Sequence, residues 1–281
     1  MMLSPLLDAL IDRALAEDLA AGDVTSEAIV PAEARAVARA VARAPLVAAG
    51  ADAFARTFYR VDPGVRVERL VDDGTSVAAE TRLWVAEGRA RSLLAAERTA
   101  LNFAQRLSGI ATLTARFVAA VPAGSKLRIV DTRKTTPGLR ALEREAVRAG
   151  GAHNHRDNLG TAILIKDNHV AIAGGVAAAV AQARSRAVHV TRVEVEVDTL
   201  AQLDEALAAR ADVVLLDNFD DAQVAEAIRR TQSRALLEVS GGVTVERIPT
   251  LARLGVDVVS VGALTHSAPA VDISFEIEPL G

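Results

Sequence analysis

From about residue 127 onward, short β-branched runs alternate with alanine-rich stretches of helical composition. This rhythm restricts the second half of the chain to a parallel sheet covered by helices. The runs are Leu127 to Val130, Ala162 to Ile165, Val193 to Val197, Val213 to Leu216, Ala235 to Val239 and Val256 to Val261. Between them lie Leu139 to Ala149, Val176 to Arg186, Leu200 to Ala209, Ala222 to Arg230 and Val245 to Leu254. Six such units, spaced by roughly 20–30 residues, favour closure into a parallel β/α barrel, incomplete or six- to seven-stranded, over an open doubly wound sheet.

The first half follows another pattern. Leu3, Leu6, Leu7, Leu10, Ile11 and Leu15 recur at helical spacing among Asp8, Asp12 and Glu17. Gly22-Asp23-Val24-Thr25 reads as a turn, and Asp72-Asp73-Gly74 as another between the alternating segments Val65 to Val71 and Leu83 to Val85. Ala34 to Arg43 alternates too, which adds antiparallel character. Arg91 to Val121 is helical in composition, with a break expected near Ser108-Gly109. Val271 to Ile277 alternates with acidic residues and is expected to return to the first domain. The boundaries that follow are an N-terminal α+β domain over 1–107, joined by 268–281, and a barrel domain over 108–267.

At 281 residues and 51% hydrophobic content the chain can bury a substantial core. Charged residues make up 24% and the net charge is −4, so the whole-chain charge points to neither nucleic acid nor a membrane surface as partner. A polyanionic ligand would need a local basic cluster. The absence of cysteine excludes disulfides, thiolate metal sites and cysteine nucleophiles. No apolar stretch approaches the roughly 20 residues that span a bilayer, and the N-terminus has no basic segment before an apolar run. A cytoplasmic location is the expectation.

Polar residues of the second half concentrate where the strands end. Leu127 to Val130 runs into Asp131-Thr132-Arg133-Lys134, and Ala162 to Ile165 into Lys166-Asp167-Asn168-His169. Glu194 and Glu196 share one face of their strand, since side chains alternate with period two. Asp217-Asn218, Ser240-Gly241-Gly242 and Gly262-Ala263 follow the next three strands. In barrels and doubly wound sheets ligands bind at the carboxyl ends of the strands, so these residues together mark an active site. Arg133, Lys134, Arg156 and Lys166 would form a cationic floor, which needs anions to be tolerable, and arginine forks match carboxylate and phosphate. Glu196 and Asp217, at neighbouring strand ends, suit sugar hydroxyls or Mg²⁺, or serve as partners of the lysines. The glycines after the last strands let backbone N–H groups approach a phosphate. No histidine spacing matches a zinc site, and His169 is as well placed to cap a helix as to bind a ligand.

With these residues in view, the chain closely resembles the quinolinate phosphoribosyltransferases, the carboxylating nicotinate-nucleotide pyrophosphorylases. The likeness is carried by Glu17-Asp18 with Gly22 to Thr25, Glu97 to Asn102, Leu107 to Thr112, Asp131 to Leu142, Gly150-Gly151, Asn154-His155-Arg156, Leu164 to His169, Glu194 to Val197, Leu215 to Asn218, Ser240 to Val243 and Val261 to His266. The resemblance implies phosphoribosyl transfer from phosphoribosyl pyrophosphate to quinolinate, giving nicotinate mononucleotide, pyrophosphate and carbon dioxide. It further implies that Arg133, His155, Arg156 and Lys166 hold the quinolinate carboxylates, with Arg98 arriving from the partner subunit of a homodimer, and that dimers can associate into a hexamer. Lys134 and Lys166 would face the phosphoribosyl donor. Glu196 and Asp217 match the family's ribose and Mg²⁺ carboxylates, Ser240, Gly241 and Gly242 with Val261, Gly262 and Ala263 match its 5′-phosphate loops, and Thr132 would touch the acceptor. On this reading Lys134, Lys166, Glu196 and Asp217 are the catalytic set, Mg²⁺ accompanies the donor, and no organic cofactor is needed. Thr161 stands where the family usually carries an acidic residue, and Asp157-Asn158 lies in a variable stretch. The nearest alternative is a paralogous phosphoribosyltransferase-like protein of molybdate-transport context with a different acceptor. The intact Asn154-His155-Arg156 and Thr132-Arg133-Lys134 favour quinolinate.

Overall fold

A computed structural model describes residues 4–281, so Leu3 of the expected first helix lies outside the described residues. Contacts divide the chain into two units, one made of residues 1–115, 135–151 and 264–281, the other of 116–134 and 152–263.

The first unit opens with helices α1 (Ser4–Asp18) and α2 (Val24–Ile29), then strands β1 (Arg35–Ala42) and β2 (Leu46–Val47) and helix α3 (Ala51–Val61). Strands β3 (Arg66–Arg69), β4 (Ser76–Val77) and β5 (Arg82–Arg89) lead into α4 (Ala90–Ala119), whose last turn belongs to the second unit. Leu7, Ile11 and Leu15 are buried at successive i, i+4 positions of α1. Asp8 clasps Arg56 of α3 through two bonds of 2.6 Å each.

Alternation in β1 buries Ala36, Ala38, Ala40 and Ala42. These small residues leave room for Phe54 and Phe58 of α3 and for Trp84 of β5, all fully buried. Phe54 and Trp84 pack with ring centroids 4.9 Å apart, and the burial of each such side chain contributes roughly 1.5–3 kcal/mol.

The sheet order is β12-β1-β5-β3, where β12 is Ile273–Leu280, antiparallel to β1. The final strand therefore returns to the first sheet, as its alternation suggests. The break expected at Ser108-Gly109 is not found: α4 runs through both residues. Ser108 Oγ bonds the backbone of Ala49, and a side chain at position 109 would strike the carbonyl of Pro269. Gly109 is a contact site for a distant segment and not a helix end.

The second unit holds strands β6 (Arg128–Val130), β7 (Ile163–Ile165), β8 (Val193–Val197), β9 (Val213–Asp217), β10 (Leu236–Ser240) and β11 (Val258–Ser260). They form one parallel sheet in the order β6-β11-β10-β9-β8-β7, and a single parallel bridge from Val130 to His153 extends it beyond β6. No strand ladder among the described residues joins β7 to that end, so the barrel is incomplete.

Helix α5 (Arg140–Ala149) follows β6 in sequence and clusters with the first unit. Helices α6 (Asp167–Ala173), α7 (Val176–Arg186), α8 (Leu200–Ala208), α9 (Asp221–Thr231), α10 (Ile248–Leu254) and α11 (Ala263–His266) complete the chain. Thr199 starts α8 and Asp220 starts α9, each by accepting an N–H from a glutamine three residues on. α6 begins directly after Lys166, and His169 Nδ1 accepts the Lys166 N–H at 2.9 Å, so His169 is indeed a capping residue. No helix of the described residues is long and apolar enough to cross a membrane.

Candidate active site

Register decides which side chains stand level with one another inside the second unit. Ile165 pairs with Val195, so Lys166 stands level with Glu196. Glu196 pairs with Leu215, Leu215 with Glu238, and Glu238 with Val258. One level nearer the carboxyl ends, Asp217 pairs with Ser240, while Ser260 pairs with Val130. These two levels form the wall of a cleft of about 430 Å³. Thr132, Arg133 and Lys134 enter it from the end of β6, His155 and Arg156 from the turn beyond His153, and Leu164 and Leu215 supply apolar surface.

Lys166 Nζ lies 2.6 Å from Glu196 Oε2. This lysine–carboxylate pairing is one of the two roles the sequence allows for Glu196. Arg156 donates to the carbonyl of Ala162 at 3.2 Å. Burial lowers its pKa from the usual arginine value, and the nearby positive charge of Arg133 lowers it further. Two guanidinium groups held close enough to repel each other make a site that favours an anion.

Asp131 is fully buried and is not part of the cleft lining. Its carboxylate accepts the His155 N–H at 2.7 Å and the Asn154 Nδ2–H at 2.6 Å. It thereby orients the 154–156 turn. The Lys134 N–H bonds Thr132 Oγ1 at 3.1 Å, which folds the segment after β6 back on itself.

His155 is engaged at both ring nitrogens. Nδ1 accepts the Arg156 N–H at 2.7 Å. Nε2 lies 3.3 Å from Glu194 Oε2 and 3.5 Å from Glu238 Oε2. Burial alone would push the ring's pKa down, but the two carboxylates override it and carry the ring up to about 10. The Arg156 N–H at Nδ1 works against that rise, because an accepting ring nitrogen carries no proton, and Nε2 is the nitrogen that holds its proton against the carboxylates. Burial pushes the Glu194 carboxyl up, against the pull of His155 and Arg156.

At the ends of β9 and β10, Asp217 Oδ2 accepts from Asn218 Nδ2 at 2.7 Å. Asn218 has a left-handed backbone with φ of 58°, and Gly241 has φ of 90°. A side chain at position 241 would collide with that of Asn218, so the close approach of these two strand ends requires glycine. Ser240 lines the cleft. Gly241 and Gly242 continue from it, and Val261, Gly262 and Ala263 follow Ser260 at the end of the next strand.

The expected site residues of the second unit thus gather at one end of one sheet. Arg98 belongs to the first unit, on α4, with its side chain 60% exposed and Glu97 approaching only to 4.0 Å. Two cleft residues escape sequence reasoning: Glu238 and Ser260, which are 3% and 4% exposed. A lone acid in the run Ala235 to Val239 was the one available sign of the former.

Comparison with known proteins bears on what such a cleft does. The family profile for the quinolinate phosphoribosyl transferase N-terminal domain matches residues 23–108, and that for the C-terminal domain matches residues 110–276. The nicotinate-nucleotide pyrophosphorylase [carboxylating] of Mycobacterium leprae is 46% identical over 274 residues, covering 95% of each chain. The probable enzyme of the same name from Bacillus subtilis is 41% identical over 271 residues, with coverage of 96% of this chain and 93% of that one. The crystal structure of NadC from Streptococcus pyogenes superposes with a TM-score of 0.94 at 40% identity, covering 100% of both chains.

Proposed function

The chain belongs to the quinolinate phosphoribosyltransferase family, and on that premise we propose how its own residues divide the work. The protein transfers the phosphoribosyl group of phosphoribosyl pyrophosphate to quinolinate with decarboxylation, in NAD biosynthesis. The observation that carries the division of labour is the closeness of Arg133 and Arg156, two like charges in one half-buried wall. Quinolinate is a dianion with carboxylates on adjacent ring carbons, and paired guanidinium forks are the natural receptor for it. Arg133 and Arg156 take the acceptor carboxylates, and Thr132 adds a hydroxyl contact. His155 stands behind Arg156, since its ring nitrogens already have partners.

Lys134 and Lys166 face the phosphoribosyl donor, with Glu196 and Asp217 at the ribose. Ser240, Gly241 and Gly242 and the segment Val261, Gly262 and Ala263 receive the 5′-phosphate. Holding the pyridine nitrogen against the anomeric carbon is largely a proximity effect. The nitrogen's lone pair forms the new bond as the bond to pyrophosphate breaks, and fixed lysine charge stabilises the departing oxygens. The ring nitrogen is then positive. The adjacent carboxylate leaves as carbon dioxide, its bonding pair stays on the ring carbon, and a proton completes the product.

Mg²⁺ fits the donor half of the cleft. Glu196 and Asp217 present hard oxygen ligands from neighbouring strands, and Mg²⁺ binds through one or two carboxylates together with substrate phosphates. When bound, it neutralises charge on the pyrophosphate. Arg98 completes the acceptor site of the partner subunit in a homodimer. The exposure of Arg98 and its loose approach to Glu97 support this. A cytoplasmic location is consistent with the cysteine-free sequence.

Incubation with phosphoribosyl pyrophosphate, Mg²⁺ and quinolinate should yield nicotinate mononucleotide, pyrophosphate and carbon dioxide in equal amounts. A folded protein that forms no product from quinolinate overturns the assignment of the acceptor.

A further inference from the structure

Glu194 and Glu238 are 7% and 3% exposed, on strands β8 and β10, and both turn one oxygen toward the same ring nitrogen. Their other oxygens, Glu194 Oε1 and Glu238 Oε1, have no hydrogen-bond partner among the described residues. Burying two carboxylates side by side is costly, and apolar residues of similar volume in the same strands would give a more stable sheet. Such a cost, met beside a cleft that Glu238 lines, is characteristic of a functional site rather than of the fold.

The contacts form a chain. The carboxylates hold Nε2–H of His155, Nδ1 of the same ring accepts the Arg156 N–H at 2.7 Å, and the His155 N–H is fixed by Asp131 at 2.7 Å. The plane of the ring therefore sets the direction in which Arg156 leaves the turn. Loss of a carboxylate frees the ring to rotate about its side-chain torsions, and the Arg156 amide loses a fixed acceptor.

We propose that Glu238 is a positioning residue for the acceptor: with Glu194 it clamps the His155 imidazole by Nε2, and the clamped ring places Arg156 where it meets a quinolinate carboxylate. Glu238 touches neither substrate. This rests on the assignment of Arg156 to the acceptor, so the two ideas are tested side by side.

The experiment compares full-length Glu238→Ala, Glu238→Gln and Arg156→Ala by steady-state kinetics, varying each substrate in turn, with thermal unfolding of each variant as a check on folding. For Glu238→Ala the KM for quinolinate should rise by about tenfold or more, the size expected when a buried partner is lost. The KM for phosphoribosyl pyrophosphate should stay within about twofold. A merely structural role would raise both constants together. Glu238→Gln keeps the size of the side chain and an oxygen acceptor for Nε2–H, and should recover most of the quinolinate affinity.

The idea is overturned if folded Glu238→Ala binds quinolinate normally, if both KM values rise in step, or if Glu238→Gln is as defective as Glu238→Ala. If Arg156→Ala raises the quinolinate KM while Glu238→Ala does not, only the positioning role fails. If Arg156→Ala leaves quinolinate affinity intact, the acceptor assignment fails and takes the positioning role with it. His155, Glu194 and Glu238 also present ligand atoms within 4.8 Å of one another. A stoichiometric transition metal in the purified protein, removed by chelator with loss of fold or activity, would show that the cluster is a metal site and overturn the clamp.

Discussion

Lys166 reaches from the end of β7 to Glu196 of β8, with Nζ 2.6 Å from Oε2. On the proposed division of the cleft the pair serves both substrates, so its members should respond differently to substitution. Lys166→Ala removes the cation and leaves Glu196 uncompensated, and kcat should fall by at least about a hundredfold. Glu196→Gln keeps a hydrogen-bond acceptor for Lys166, so its defect should be the smaller in kcat and should appear in the dependence on Mg²⁺ concentration. Initial rates across a Mg²⁺ titration check both. An unchanged Mg²⁺ requirement in Glu196→Gln would remove that residue from the metal's surroundings.

Arg133→Ala should cost about 2–5 kcal/mol of acceptor binding or transition-state stabilisation, as for one member of a buried charge pair. The measurement is kcat/KM for quinolinate. A change of less than tenfold would mean that Arg133 is not a carboxylate clamp.

A shared dimer site predicts complementation. Arg98→Ala and Arg133→Ala each damage every site when alone. If Arg98 serves the partner's cleft, a mixed dimer holds one site with both defects and one with neither. Random re-association of equal amounts should then recover about a quarter of wild-type activity, because half the dimers are mixed and each has one intact site of two. No recovery from a mixture shown by mass measurement to contain mixed dimers would place Arg98 in its own subunit's chemistry or outside it.

Asp62 offers a prediction for the fold. Its carboxylate accepts the Gly64 N–H at 2.8 Å and the Ser92 hydroxyl at 2.8 Å, and these bonds lower its pKa from the ordinary value of 3.8. A carboxyl lowered in this way stabilises the folded state above its ordinary pKa, and the contribution disappears as pH falls through the folded value. Asp62→Asn should therefore destabilise the protein at neutral pH, by on the order of 1 kcal/mol. The gap to wild type should close below pH 3.8. Denaturant unfolding at pH 7 and pH 3 reads this directly, and a gap that persists in acid would show that charge at Asp62 is not its source.

Much of this architecture is legible in the sequence because burial imposes simple periods. The parallel strands are covered on both faces and read as continuous apolar runs, while β1 and β12 alternate because one face is wet. The polar residues at the strand ends stand out for the same reason: Arg133, Lys166, Glu196 and Asp217 interrupt a pattern that is otherwise apolar. What escapes detection depends on contacts distant in sequence. Gly109 looks like a helix end, yet it is small because Pro269 crosses it. Glu238 is a single acid in an apolar run, and only its pairing with Leu215, the partner of Glu196, sets it level with the other acids of the cleft. The roles of His155 differ on the two views, since a histidine beside an arginine suggests a ligand contact and the ring is occupied at both nitrogens.

β12 pairs with β1 along its whole length, from Ala42 opposite Ile273 to Arg35 opposite Leu280. Ion pairs of Arg39 with Glu278 and of Arg43 with Glu276 bind the two strands further. During synthesis the ribosome emits β1 more than two hundred residues before its neighbour exists. Until then the nascent sheet carries an open edge on the side that β12 will close, a surface prone to pairing with other chains. The protein is thus committed to late completion of the half it makes first, and a chain shortened by the last strand should aggregate more readily than one shortened anywhere on the helical periphery.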